Sequence, residues 1–93
     1  MKNDLSIKFT SDFQKQRKAA PREIKEAFIE ALVLFTEDAS HPALRNHSLK
    51  EKFAGYRSID VTPDWRALFK ETSKRGKHLI TFHMLGTHKE LYS

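Results

Sequence analysis

His47, Asp64, His88 and Tyr92 are the side chains of this sequence best suited to moving protons, and all of them lie in its second half. They fall in two stretches. One runs from His47 to Lys50 and on to Pro63, Asp64 and Trp65; the other runs from Leu85 to Tyr92. Histidine titrates near pH 6.5, so it can give or take a proton at working pH. Set among an excess of Lys and Arg, these residue types suit a surface that grips a phosphate backbone and moves protons on it.

Charge sharpens the division. Residues 1–40 hold seven Lys/Arg and seven Asp/Glu, whereas residues 41–93 hold ten and five, so the whole formal charge of +5 belongs to the second part. Such a surplus attracts RNA, DNA, anionic lipid or an acidic protein, and it also serves plain solubility. With 93 residues, one modest core is all the chain can build, so 1–93 is read as a single domain. The absence of cysteine excludes disulfides, thiolate nucleophiles and thiolate metal sites. A zinc site from His47, Asp64 and His88 is conceivable in residue type, but nothing in their spacing supports it. Met1 opens directly into polar sequence, and no apolar run is long enough to span a bilayer. The expectation is a cytoplasmic protein without membrane contact.

The elements that must position these residues follow from hydrophobic period. Leu5, Ile7 and Phe9 alternate with polar residues, so residues 4–10 predict a half-buried strand. Thr10, Ser11 and Asp12 offer N-caps for a short helix to about Ala19. Pro21 suits the first turn of a second helix, in which Ile24, Phe28, Ala31, Leu32 and Phe35 form an apolar stripe. From Asp38 to Lys52 the period fails, and a loop pinned by Leu44 and Leu49 is expected. Alternation returns at Gly55–Val61, with Arg57, Ile59 and Val61 on one face and Tyr56, Ser58 and Asp60 on the other. A turn at Thr62–Asp64, a strand from Trp65 to Glu71, a second turn over residues 73–77 and a strand from His78 to Leu85 complete a meander. The class is therefore α+β, ordered β-α-α-β-β-β, with an antiparallel sheet packed against two N-terminal helices. Beyond it, Thr87 and Glu90 have capping-box spacing, which predicts a terminal helical turn with His88 and Tyr92 on one face.

Four elements in order, Leu44–Leu49, Gly55–Asp60, Pro63–Trp65 with Lys70, and Gly86–Tyr92, resemble the RelE/ParE superfamily of bacterial toxins from toxin–antitoxin modules. Within it the chain looks most like the YafQ-like ribosome-dependent mRNA interferases. The resemblance runs from the first strand to Tyr92. It implies cleavage of translated mRNA in the ribosomal A site by attack of the 2′-hydroxyl on the adjacent phosphate, with no metal or other cofactor. The implied catalytic residues are His47, Asp64, His88 and Tyr92, which match family positions. Trp65 matches an active-site position that could stack on a base. The implied partners are a cognate antitoxin, the ribosome and mRNA.

Two positions depart from that pattern. Asp60 stands where the family has a histidine, and Met84 where it has an arginine. Arg45, Lys50, Lys52, Arg57 and His83 are the residues expected to supply the missing charge to RNA, although Arg57 should point away from Asp60 by strand parity. The departures leave two alternatives open. One is a ParE-like toxin that poisons DNA gyrase without cutting RNA, and the other is a catalytically weakened relative that retains only antitoxin binding.

Overall fold

Alternation at Leu5, Ile7 and Phe9 becomes strand β1 (Leu5–Phe9), the first element of a computed structural model that describes residues 5–92. Asp4, at the head of the expected strand, and Ser93 lie outside the described residues. Helix α1 (Ser11–Ala19) starts at Thr10, whose hydroxyl oxygen accepts the Phe13 N–H at 3.0 Å. That bond satisfies one of the otherwise unpaired donors of the first turn. Pro21 immediately precedes α2 (Arg22–Glu37), which buries Ile24, Phe28, Ala31 and Phe35 as the stripe predicts, while Leu32 is only half-buried.

The segment without period is more ordered than expected. It holds two single 3-10 turns, Pro42–Leu44 and Glu51–Phe53, and a two-residue strand β2 (His47–Ser48) between them. Leu44 is buried as anticipated, and Leu49 half-buried. Strands β3 (Arg57–Asp60), β4 (Trp65–Lys74) and β5 (Lys77–Thr87) form the expected meander, and α3 (His88–Tyr92) follows directly. The second turn is tighter than residues 73–77: only Arg75 and Gly76 lie outside the strands, with φ of 53° and 78°. Left-handed angles at both central positions match the twist of the flanking strands and let the hairpin pair to its tip.

The sheet order is β1-β5-β4-β3-β2. Within the meander every pair is antiparallel, but the sheet as a whole is mixed, because β1 runs parallel to β5 with Leu5 opposite His78 and Phe9 opposite Phe82. Alternation decides which face a strand buries and is silent about its neighbour. One face of the sheet carries Ile59, Ala67, Phe69, Ile80, Phe82 and Leu85 against the helices. Phe28 stands edge-on to Phe82 at 5.5 Å and Phe35 edge-on to Phe69 at 5.2 Å, so ring packing locks α2 to the sheet centre. Past the end of β1, α1 takes over the free edge of β5: Gln16 Oε1 accepts the Leu85 N–H at 2.7 Å. No helix among the described residues is long and apolar enough to cross a membrane. The outer face of the sheet, opposite the phenylalanine core, is left for function.

Candidate active site

The turn between β3 and β4 and the start of α3 are one unit. The Val61 N–H donates to the Trp65 carbonyl at 2.8 Å, closing the turn, and Thr62 Oγ1 accepts the N–H groups of Asp64 at 3.3 Å and Trp65 at 3.1 Å. With its backbone held this way, Asp64 turns its carboxylate to solvent. Its carbonyl accepts the His88 N–H at 2.9 Å. On the other side, Thr87 Oγ1 accepts the Glu90 N–H at 3.1 Å and Glu90 Oε1 accepts the Thr87 N–H at 2.9 Å. This is the reciprocal capping box that the spacing predicts. It places His88 and Tyr92 on one face with ring centroids 4.7 Å apart.

From His88 an unbroken row of rings crosses the outer face. Tyr92 stands edge-on to Phe53 at 5.7 Å, Phe53 edge-on to Tyr56 at 6.1 Å, and Tyr56 edge-on to His83 at 5.3 Å. Cations overlie it, Lys52 Nζ at 5.3 Å from the Phe53 centroid and Lys70 Nζ at 4.7 Å from that of Tyr56. Alternating rings and ammonium groups suit stacked bases and their phosphates. The hydroxyl of Tyr92 is buried and has no hydrogen-bond partner in the protein. Burying a hydroxyl unpaired is costly, and this one lies where the His88 and Phe53 rings flank Tyr92.

His83 owes its place to a β-bulge. Leu68 pairs with Met84 and Phe69 with Phe82, which leaves His83 without a partner on β4. The bulge turns its ring toward Tyr56 and a groove of about 520 Å³ lined also by Thr10, Asp12, Lys15, Gln16 and Met84. Burial, and then the nearby Lys70 charge, push the His83 imidazole below its ordinary pKa of 6.5.

His47 lies on the edge strand β2, paired with Ser58, which continues across the sheet to Leu68 and Met84. Its Nδ1 is 2.7 Å from the Arg45 carbonyl. A carbonyl only accepts, so Nδ1 carries the proton and Nε2 of the neutral ring is free as a base. Three strand spacings, roughly 14 Å, separate it from the Met84 column. Among the described residues no hydrogen bond or ring contact joins His47 to Asp64, His88 or Tyr92.

The two departures from the family pattern have local neighbours. Asp60 Oδ1 is 3.2 Å from Arg66 Nε and Oδ2 is 3.6 Å from Arg45 Nε, so one half-buried carboxylate holds two guanidinium groups. Arg66 faces outward beside Gly86, and sequence reasoning passed it over. The signal was available, since closing the Thr62–Asp64 turn puts Arg66 directly opposite Asp60. Arg57 donates from Nε to Asn46 Oδ1 at 2.9 Å, on the face of Ile59 and away from Asp60, as parity predicts; it anchors the loop. Lys50 is exposed beside β2. Trp65 packs against the core and lines a cavity of about 340 Å³ with Gln16, Ala19, Ala20, Leu85 and Leu91, on the opposite side of β4 from Arg66.

This fold, a mixed five-stranded sheet with two helices on one face and a short third helix beside the open one, is that of the RelE/ParE-like toxins. A YoeB/ParE toxin from Agrobacterium tumefaciens shares it at a TM-score of 0.72 and 13% identity, with 89% of this chain and 98% of that chain covered. The chain belongs to the YafQ family, described as bacterial toxins of type II toxin–antitoxin systems, whose profile matches residues 3–93. YafQ from Escherichia coli strain BL21(DE3) is 25% identical with a TM-score of 0.77, covering 95% of this chain and 98% of that chain. A chain of the E. coli DinJ–YafQ complex is 26% identical with a TM-score of 0.67 over the same shares. Among curated protein sequences none matches.

Proposed function

We propose that this toxin is a ribosome-dependent endoribonuclease that cuts translated mRNA in the cytoplasm and is neutralised by a cognate antitoxin. The observation that carries the reading is the convergence of Asp64, His88 and Tyr92: a backbone bond of 2.9 Å ties the turn to α3, and the two rings lie 4.7 Å apart. In the reaction a base takes the 2′-hydroxyl proton, O2′ bonds to phosphorus, and the P–O5′ bond breaks as O5′ gains a proton, leaving a 2′,3′-cyclic phosphate. His88 and Asp64, joined through their main chains, supply the proton-transfer groups. Tyr92 gives its unpaired hydroxyl to a phosphate oxygen, and the row Phe53–Tyr56–His83 stacks the flanking bases. Arg66, held by Asp60, provides positive charge that Met84 does not, and Lys70 and Lys52 add to it. His47 belongs to the rim, where its free Nε2 can meet an RNA that spans the sheet.

Family membership and the DinJ–YafQ complex support an antitoxin partner, and an acidic segment that folds on binding would suit the basic outer face. The decisive experiment is primer extension on a message translated with purified ribosomes. Cuts are expected with the intact toxin and should vanish with His88→Ala. An uncut message together with accumulating cleaved DNA would move the chain to the gyrase-poisoning class.

A further inference from the structure

At the end of the sheet remote from α3, a groove of about 490 Å³ is lined by Lys8, Lys74, Arg75, Lys77 and His78, with Ser6, Thr72 and Leu79. No Asp or Glu lines it among the described residues. Glu71 approaches only His78, at 3.9 Å between two exposed groups. Register puts this groove on the same outer face as the ring row. Lys74 pairs with Lys77, Thr72 with Leu79, which faces Ser6, and Lys70 with Thr81, which faces Lys8. The cationic groove therefore continues without a break into Lys70, over Tyr56. From Lys70 to Lys74 the strand advances about 13 Å.

The groove's chemistry is narrow. It offers ammonium, guanidinium and hydroxyl donors, and the ring that lines it, the exposed His78 imidazole, is held at its edge by Ser73 Oγ, 2.9 Å from Nδ1, with no second ring among the described residues beside it to form a stacking row. Such a surface reads phosphates and not sequence. We infer that it is a second RNA contact, holding backbone phosphodiesters of the strand that enters the ring row, so that the toxin's footprint extends well beyond the cut nucleotide. The inference rests on RNA being the ligand of the outer face, and it does not require that the RNA be cut.

The test uses the purified toxin and single-stranded RNA with methylated 2′-hydroxyls, which binds but cannot be cleaved. Lys8→Gln, Lys74→Gln and Lys77→Gln are combined, since all of these side chains are exposed and the Arg75-Gly76 turn is left intact. For an RNA of about 12 nucleotides, within the usual site size, the slope of log K against log salt should fall by about 2, at ~0.7 per lost contact. For one of about 3 nucleotides it should not change. An unaltered slope with the long RNA, or an equal loss with the short one, overturns the inference. So does polyglutamate that binds the wild type as tightly as the long RNA and loses the same slope in the variant, because the groove would then be built for an acidic polypeptide. Toxin that shows the expected slopes yet cuts no message would refute the nuclease reading alone.

Discussion

The Asp64 carbonyl accepts the backbone N–H of His88 at 2.9 Å, so the β3–β4 turn and the first residue of α3 are fixed to each other by their main chains. Both side chains remain free to work. Because the link is main chain to main chain, changes of side chain leave it in place, which makes substitutions at the two positions clean tests of the proposed proton-transfer roles.

The capping box should matter to activity as well as to stability. Thr87→Ala removes the acceptor for the Glu90 N–H and is expected to cost about 1 kcal/mol, or roughly 4–8 °C in Tm for a domain this small. Cleavage should fall further than the Tm loss explains, because His88 and Tyr92 lose their common face. Gly86→Ala presses on the same cap more gently: an added Cβ would sit 3.2 Å from Glu90 Oε1, so the carboxylate must give by a few tenths of an ångström and a smaller loss than that of Thr87→Ala is expected. Thermal melting and single-turnover cleavage on the same preparations check both.

Tyr92→Phe separates ring from hydroxyl. The phenol has no partner in the protein, so its removal should leave Tm unchanged or raise it. If the hydroxyl bonds the scissile phosphate, the single-turnover rate falls about 10- to 100-fold, the worth of one hydrogen bond to a charged group. A variant with wild-type rate would reduce Tyr92 to a packing ring.

Asp60 and Arg66 should behave as a coupled pair. Asp60→Asn keeps the size but leaves two guanidinium groups without their carboxylate, and should cost about 1–2 kcal/mol after allowance for partial exposure. Adding Arg66→Gln should restore most of that stability and still impair cleavage. A double-mutant cycle in urea, run beside cleavage rates, reads both effects. Independent, additive stability losses would show that the contact is incidental.

The lowered His83 pKa has a defined consequence for acid stability. A histidine whose folded pKa lies below 6.5 is neutral in both states at higher pH, and below that value the unfolded chain takes up the proton first. Its contribution is therefore full above pH 6.5 and is lost as pH falls through the folded pKa. His83→Gln should flatten the decline of unfolding free energy below pH 6.5, as measured by urea titrations. In Lys70→Gln, the repulsion is gone and the His83 ring resonances in proton NMR should titrate at higher pH than in wild type.

Much of this was legible from residue pattern. The α2 stripe, the Thr10 cap and the Thr87–Glu90 box are local signals, and each appears where the sequence places it. The pairing of β1 with β5 and the short strand β2 were not legible, since partner choice across the chain depends on global packing. His83 shows the same limit at the scale of one residue: strict alternation cannot reveal a bulge, and the bulge is what brings its ring to Tyr56. Arg66 gains its meaning only from cross-strand register, which sets it opposite Asp60, and not from its own type or spacing. His47, by contrast, was easy to select by type, yet the edge strand sets it apart from the other candidates.

The pairing of β1 with β5 also ties completion of the sheet to the last part of the domain to be synthesised. β1 emerges from the ribosome first, but the strand that completes its ladder, and the helix that carries His88 and Tyr92, come from Lys77–Tyr92. A nascent chain that has not yet been elongated through that segment lacks the strand that joins β1 to β4 and the helix that carries His88 and Tyr92. On the nuclease reading proposed above, the ribosome making the chain would face no complete site until translation of the domain is nearly done.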